Sequence, residues 1–380
     1  MNLRKKIYYW SPSLVDIATN RSVINSAQSM VKYDPSYQAY IINFFGEFER
    51  YKNQIIEKNI NLINFFNKSI FKFLPKYGKI KSRASFIFIF LMAFIPLKNI
   101  IKNDKPDYLI IHLITSLPLS LLILFNFQTK FILRISGYPK MNFFRKFLWS
   151  SALKNIYCVT CPTISTMNYI KSLNIVDPIK VKLLYDPIIN VKEINKKKNE
   201  DITHNDFFFA AGRLTYQKNF QFLCKAFKKL IIKDKNLKLL IAGEGEDRKK
   251  IENFINNNAL DKNIVLLGYV ENIYPFFKNA KGFILTSLWE DPGFVLIEAS
   301  FCKVPVLSSN VGPGPSELVQ DSYNGILYKN NDLDHFEIKF NRFKKFDNLK
   351  TLRLNSLKVS KKFTIFNHYK NLNKILSKQV

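Results

Sequence analysis

Short runs of β-branched and aromatic residues alternate along this chain with stretches of helical character. In the first half the runs are KIYYWS (6–11), YQAYIINF (37–44), PDYLIIHL (106–113), TKFILRISG (129–137), NIYCVTCPT (155–163) and KVKLLYDPI (180–188). Parallel strands buried on both faces read in this near-continuous apolar way, with helices between them. A second series follows: FFFAAG (207–212), LKLLIAGEG (237–245), NIVLLGYV (263–270), GFILTSL (282–288) and VPVLSSN (304–310). Helices are expected over 219–233, 246–258, 272–279 and 292–302. The tail beyond 332 is helical and basic, with Phe340, Phe343, Phe346 and Leu349 spaced for one apolar face.

The pattern predicts an α/β protein of two doubly wound, Rossmann-like domains facing a central cleft. Residues 1–189 form the first domain and 207–355 the second. Between them NVKEINKKKNEDITHND (190–206) has no periodicity, is crowded with charge and reads as a linker. Ligands of such sheets bind beyond the carboxyl ends of the strands, so the chemistry is sought there.

Composition narrows the partners. The 380 residues carry 58 Lys+Arg against 29 Asp+Glu, a net charge of +29. That surplus attracts nucleic acid, anionic lipid or phosphorylated substrates. Nucleic-acid binding needs a basic stripe with stacking aromatics; the phenylalanines here follow buried-face periodicity, so no nucleic acid is expected. Cys158 and Cys161 lie three apart on a strand, facing opposite sides, and the four cysteines read as buried thiols rather than a disulfide scaffold or metal pair. MNLRKKIYYWSPS lacks the apolar stretch of a signal peptide, so a cytoplasmic protein is expected. ASFIFIFLMAFIPL (84–97) is too short to span a bilayer and reads as a buried helix or one lying in an anionic membrane surface. The stretch 108–127 is long enough, but His112, Thr115, Ser116, Pro118 and Asn126 split it into strand, turn and helix.

Candidate chemistry gathers after the strands. In LTSLWEDPGFVLIEAS (285–300), Asp291 is placed to cap a helix and Pro292 to occupy its first position. The amides of Gly293, Phe294 and Val295 then face an anion site at the helix amino terminus, flanked by Glu290 and Glu298. Arg213 and Lys218 follow FFFAAG and suit a diphosphate leaving group. IAGEGED (241–247) reads as a glycine turn, and Gly312-Pro313-Gly314-Pro315 as a loop before a helix. His112 stands at a strand's carboxyl end.

AAGRLTYQKNF, LLIAGEGED, VLLGYVENIYPFFKNA, LTSLWEDPGFVLIEAS and GPGPSELVQDSYNGILY lie in the order and spacing of the donor domain of glycosyltransferase family 4, group 1. This second half resembles that family, whose members have the GT-B fold and retain anomeric configuration. KPDYLIIHLITSLP, LRISGYP and FTIFNHYKNLNKIL resemble its first domain and its closing helix, here 356–380, which crosses back. The resemblance implies transfer of a sugar from a nucleoside diphosphate sugar to a glycan or polyprenyl-linked acceptor, in cell-surface polysaccharide or lipopolysaccharide synthesis at the inner membrane's cytoplasmic face. It places Glu290 and His112 by the transferred sugar and Glu298 at the ribose. The amides of Gly293, Phe294 and Val295 and the charges of Arg213 and Lys218 meet the diphosphate, and Gly268, Tyr269 and Val270 meet the base. The family works without cofactor or divalent metal; Asp332-Leu333-Asp334 has D-x-D spacing but lies beyond the donor motifs. Where the family often has a glycine-rich loop, this chain reads SPSLVDIATNRSVINSAQ, putting Asn20, Arg21 and Ser22 at the place of acceptor contacts. A nucleotide-sugar epimerase of the same fold is the alternative.

Overall fold

The structure, a computed structural model, describes residues 4–13, 18–65, 79–345 and 349–377, with backbone alone for 79–84 and 349. The chain divides into two units, residues 1–188 with 365–380, and 189–364.

The first unit is built on seven parallel strands: β1 (Lys5–Trp10), β2 (Tyr37–Asn43), β3 (Asn61–Asn64), β4 (Tyr108–Ile111), β5 (Lys130–Arg134), β6 (Cys158–Cys161) and β7 (Val181–Leu183). Their order is β3-β2-β1-β4-β5-β6-β7. The order reverses between β1 and β4, the place where such sheets open a ligand crevice. Alternation along each strand serves both faces. Tyr8, Trp10, Leu109, Ile111 and Leu133 face one core, and Ile7, Tyr9, Ile110 and Ile132 the other. Cys158 and Cys161 likewise enter opposite cores. The helices are α1 (Ala18–Tyr33), α2 (Lys52–Glu57), α3 (Lys79–Asp104), α4 (Ser116–Leu124), α5 (Phe143–Ala152) and α6 (Ile164–Ser172). Asn142 and Thr163 cap α5 and α6 by accepting from the amides of Arg145 and Thr166.

The second unit starts with α7 (Val191–Lys197), inside the segment expected to be a linker. Only Ile194 of α7 is buried, so no apolar period announces it. Local polar contacts stabilise it instead: Asn190 caps it, and Lys197 pairs with Glu193 one turn back at 2.8 Å. The sheet comprises β8 (Phe208–Ala211), β9 (Leu239–Ala242), β10 (Ile264–Gly268), β11 (Gly282–Leu285), β12 (Val306–Ser309) and β13 (Ile326–Tyr328), in the order β10-β9-β8-β11-β12-β13. Its helices are α8 (Phe220–Lys233), α9 (Arg248–Asn257), α10 (Tyr274–Asn279), α11 (Phe294–Phe301), α12 (Pro315–Leu318), α13 (Leu333–Lys344) and α14 (Leu349–Ser360). The apolar face of α13 is Phe336, Phe340 and Phe343, all buried against the sheet. α13 ends at Lys344, and Phe346, expected on the same face, lies outside the described residues. The last helix, α15 (Ile365–Ser377), belongs to the first unit and packs on α1, whereas α14 stays with the second.

α3 runs 26 residues, longer than the apolar stretch expected from its sequence. By length and composition Ser85–Asp104 is apolar enough to cross a membrane. Its residues Ile89, Ala93, Leu97 and Ile101 are nevertheless buried in the first unit's core, which seats the helix on the sheet.

At the carboxyl ends of β4 to β7, facing α1 and α15, the apolar layer gives way to buried polar groups. Arg134 donates twice to Asp186, from Nε at 3.1 Å and from Nη2, with both side chains about 5% exposed. Ser22 Oγ also donates to Asp186, at 3.5 Å. From α15, His368 donates through Nδ1 to the carbonyl of Tyr185 at 2.7 Å and accepts from Ser26 Oγ through Nε2 at 2.9 Å. Those contacts suit a neutral ring, and burial depresses its pKa from 6.5 to about 4.

Two outcomes follow from this layer. A histidine with a depressed folded pKa takes its proton in the unfolded chain first, so stability falls as pH drops from 6.5 toward 4, by on the order of 3 kcal/mol for His368. Urea unfolding across that range is expected to show the loss, and His368→Gln to reduce it, the remainder coming from His112, whose pKa burial also depresses. Arg134→Met strands a buried carboxylate and is expected to cost roughly 3–5 kcal/mol in the same assay, most of which Arg134→Met/Asp186→Leu restores.

Candidate active site

In the second unit, three loops after strands are laced together. After β11, Thr286 Oγ1 donates to the carbonyl of Lys218 at 2.8 Å and the Leu288 amide to that of Gln217 at 2.8 Å. Gln217 Nε2 donates in return to the Trp289 carbonyl at 2.9 Å. This register brings Lys218 Nζ onto Glu290 Oε1, where Ser287 Oγ also donates at 2.6 Å. The ion pair is largely withdrawn from water, with side-chain exposures of 13% and 8%. Gly212 leaves room for Lys218: a Cβ there would stand 3.3 Å from its Cε. Arg213, next in sequence, is exposed. The Gly314 amide donates to the Glu290 carbonyl at 2.9 Å, so the Gly-Pro-Gly-Pro loop braces the Glu290 turn from behind.

The start of α11 differs from the expected one. Asp291 and Pro292 precede the helix, and Gly293 is its N-cap at φ +92°, a conformation glycine adopts without Cβ strain. The helix therefore begins at Phe294. The amides of Leu296 and Ile297 both bond the Gly293 carbonyl, leaving those of Phe294 and Val295 outside the helical ladder. Gly293 packs beside Glu290, its Cβ position 3.5 Å from that of Glu290. The dipole and free amides at this terminus favour an anion.

Glu298 lies one turn into α11, 2% exposed, and accepts from Tyr274 Oη at 3.0 Å. It is thus oriented by α10 rather than standing open on a surface. Gly268 ends β10 at φ +72°, and its carbonyl accepts from the Gly243 amide at 2.7 Å. Tyr269 is exposed and Val270 half-buried. The IAGEGED glycines serve backbone approach: a Cβ on Gly243 would lie 1.9 Å from the Gly212 carbonyl oxygen, and one on Gly245 2.3 Å from that of Leu214.

The structure thus joins Lys218, Glu290 and Gly293 in direct contact, with Arg213, Phe294 and Val295 adjacent in the chain. Glu298 and the Gly268 segment belong to neighbouring strand ends of the same unit. Two cations and free helix amides can hold a pyrophosphate, and a held carboxylate can orient a sugar hydroxyl.

His112 belongs to the first unit. Its amide donates to the Trp10 carbonyl at 2.8 Å, and its ring is 6% exposed in the small cavity lined by Arg134, Thr160, Asp186 and His368. Burial and the Arg134 charge push its pKa well below the ordinary value, so the ring is neutral. Neither ring nitrogen has a hydrogen-bond partner, nor do Arg134 Nη1 and Thr160 Oγ1 beside it. Asn20 and Ser22, at the place of acceptor contacts, are buried within α1, where Ser13 Oγ donates to Asn20 Oδ1 at 3.3 Å and Ser22 reaches Asp186. Arg21 is half-buried.

Ser287, Tyr274, Gln217, Arg134, Asp186 and His368 were not singled out by sequence. The strand LRIS, with an arginine among aliphatics, carried a signal for one of them; the others sit in ordinary-looking turns and helices. Among the described residues no three His, Cys, Asp or Glu side chains are grouped to hold a metal ion. Asp332 caps α13 and Asp334 pairs with Lys229 at 2.9 Å.

Known proteins resemble this chain in sequence and in fold. Residues 191–353 match the family described as "Glycosyl transferases group 1". An uncharacterized glycosyltransferase of Methanocaldococcus jannaschii is 28% identical over 316 residues, covering 77% of this chain and 73% of that one. A Campylobacter jejuni enzyme, GalNAc-alpha-(1->4)-GalNAc-alpha-(1->3)-diNAcBac-PP-undecaprenol alpha-1,4-N-acetyl-D-galactosaminyltransferase, is 26% identical over 327 residues, 85% of this chain and 84% of its own. The crystal structure of Anabaena HepE in complex with UDP and glucose superposes with a TM-score of 0.71 at 16% identity, over 98% of this chain and all of that one. Residues 191–353 are accordingly a group 1 glycosyltransferase domain, and the protein is a glycosyltransferase of GT-B fold.

Proposed function

We propose that this enzyme moves a sugar, with retention of configuration, from a nucleoside diphosphate sugar to a saccharide carried on a polyprenyl diphosphate, for cell-surface polysaccharide or lipopolysaccharide synthesis. The observation that carries the reading is the buried Lys218–Glu290–Ser287 cluster set against the amino terminus of α11. The undecaprenol-linked acceptor named for the Campylobacter relative supports the acceptor class, and the UDP and glucose named for HepE support the donor class.

In this reading the diphosphate takes the amides of Phe294 and Val295, and Lys218 turns from Glu290 toward its oxygens. Arg213 adds a second charge as the leaving group departs. Glu290, still held by Ser287, accepts from a hydroxyl of the transferred sugar. Glu298, fixed by Tyr274, receives the ribose hydroxyls, and the backbone at Gly268 to Val270 meets the base. His112, in the first unit, keeps a neutral ring whose nitrogens have no protein partner among the described residues, which suits a hydroxyl ligand. The acceptor hydroxyl attacks from the face the diphosphate leaves, its proton passing to the departing phosphate oxygen, a route to retention that needs no enzyme nucleophile. Two cations and a helix terminus supply the charge that a divalent metal supplies elsewhere, so activity is expected to persist in EDTA. The free cysteines, Cys158, Cys161 and Cys224 buried and Cys302 half-buried, suit a reducing compartment, the cytoplasmic side of the membrane.

Lys218→Met and Glu290→Gln are each expected to lower kcat by about 10²–10³-fold, as for loss of a transition-state donor. Glu298→Ala is expected instead to raise the donor KM about tenfold with a smaller change in kcat. Labelled nucleotide sugars with an undecaprenyl-diphosphate saccharide measure both. Wild-type kinetics in all three variants, or sugar conversion without transfer, contradicts the assignment.

A further inference from the structure

Helices α3, α4 and α5 pack side by side over one face of the first unit's sheet. Two of them carry large apolar side chains turned away from that core. On α3, Ile87, Leu91 and Ile95 recur every four residues and are 63%, 68% and 65% exposed. The opposite stripe, centred on Ala93 and Leu97, is buried to the last atom. On α5, Phe143 and Phe144 are each 80% exposed and Phe147 is 69%, while Trp149 and Ala152 seat the helix on the core. Phenylalanine seldom stands so bare in water, and three within five residues make a patch that calls for a partner.

Topology places the patch. A helix that follows a strand in a parallel unit starts at that strand's carboxyl end. Phe143, Phe144 and Phe147 fill the first turns of α5, and Ile87 lies in the earlier half of α3. The α5 cluster therefore lies toward the carboxyl edge of the sheet, the edge at which these folds take ligands, and the α3 stripe spans the middle of its helix.

Charge selects the partner. Residues 58–176 contain 17 Lys and Arg and only two acids, Asp104 and Asp107. Lys140, Arg145 and Lys146 surround the α5 phenylalanines and are exposed. Protein interfaces are depleted in lysine at such places, whereas aromatic and aliphatic side chains ringed by lysine and arginine match the boundary between acyl chains and anionic headgroups. The buried stripe of α3 rules on the mode: a helix anchored to the sheet along its length lies on a bilayer and does not cross it.

We propose that the outer faces of α3 and α5 form one docking surface for an anionic lipid bilayer, their apolar side chains entering the headgroup layer while Lys140, Arg145 and Lys146 meet the lipid phosphates. The proposal rests on the reading that the acceptor is lipid-linked, and it assigns the part of the chain that reaches it. The α5 aromatics were invisible in the sequence as a surface feature, because FFRKFLW has the composition of a buried amphipathic helix.

The test is co-sedimentation of the full-length chain with vesicles of phosphatidylcholine alone or mixed with phosphatidylglycerol. The wild type is expected to partition about tenfold or more in favour of the anionic vesicles, an advantage that high salt removes. Phe143→Ser/Phe144→Ser/Phe147→Ser and, separately, Lys140→Gln/Arg145→Gln/Lys146→Gln are each expected to reduce binding by about tenfold or more. A thermal shift with UDP-glucose, unchanged in both variants, reports that the fold and the donor site are intact. Equal partition to both vesicle types overturns the proposal. So does a wild-type dimer in light scattering that the serine variant converts to monomer while lipid binding is unaffected. Lipid binding without transfer to any lipid-linked saccharide leaves the docking surface standing and removes the acceptor assignment.

Discussion

A carboxylate taken out of water must be met by a donor, and this protein meets several of its few carboxylates at the carboxyl ends of parallel strands. Lys and Arg outnumber Asp and Glu 58 to 29, so an acid can stay in solvent and still find cations nearby. Asp186, Glu290 and Glu298 are buried all the same. Each has a dedicated partner from another element: Arg134, Lys218 and Tyr274 respectively. Removing one side of such a pair leaves a charge or dipole stranded in a poor solvent, so the pairs fix the loops that carry them. Glu290 shows the consequence. Its bond to Lys218 joins the loop after β11 to the turn after β8, across the point where the sheet order reverses.

The two units use this constraint for different ends. In the second, the paired groups stand beside helix amides that no helical bond consumes, so the pair can exchange partners when an anion arrives. In the first, Arg134, Asp186 and His368 are closed in with α1 and α15, and their role is to hold strand ends and the last helix in one arrangement. The outer helices of that unit are where its basic and apolar character comes to the surface.

Much of the architecture was legible in the sequence because strands buried on both faces leave long apolar runs, and because glycines mark the points where strand-end loops touch. The strand-end glycine motifs were legible for the same reason: Gly212, Gly243, Gly268 and Gly293 are fixed by close approach or by positive φ. What escaped had no such mark. β3 reads NLIN, an edge strand with no buried residue, and α7 has one. The true start of α11 depended on a glycine cap rather than on the aspartate and proline before it. Tyr274 and His368 act through partners far along the chain, and only folding brings those partners near, while Ser287 reaches Glu290 three residues on within an ordinary-looking turn. The same holds for the phenylalanines of α5, whose spacing gave no indication that they face outward.

The central claim is that the Lys218–Glu290 pair opens to receive a pyrophosphate at the head of α11. A crystal structure with a bound nucleoside diphosphate sugar tests it most directly. The account predicts phosphate oxygens on the amides of Phe294 and Val295, with Lys218 Nζ moved from Glu290 to the diphosphate. A nucleotide bound elsewhere, with the Lys218–Glu290 contact unbroken, would contradict it.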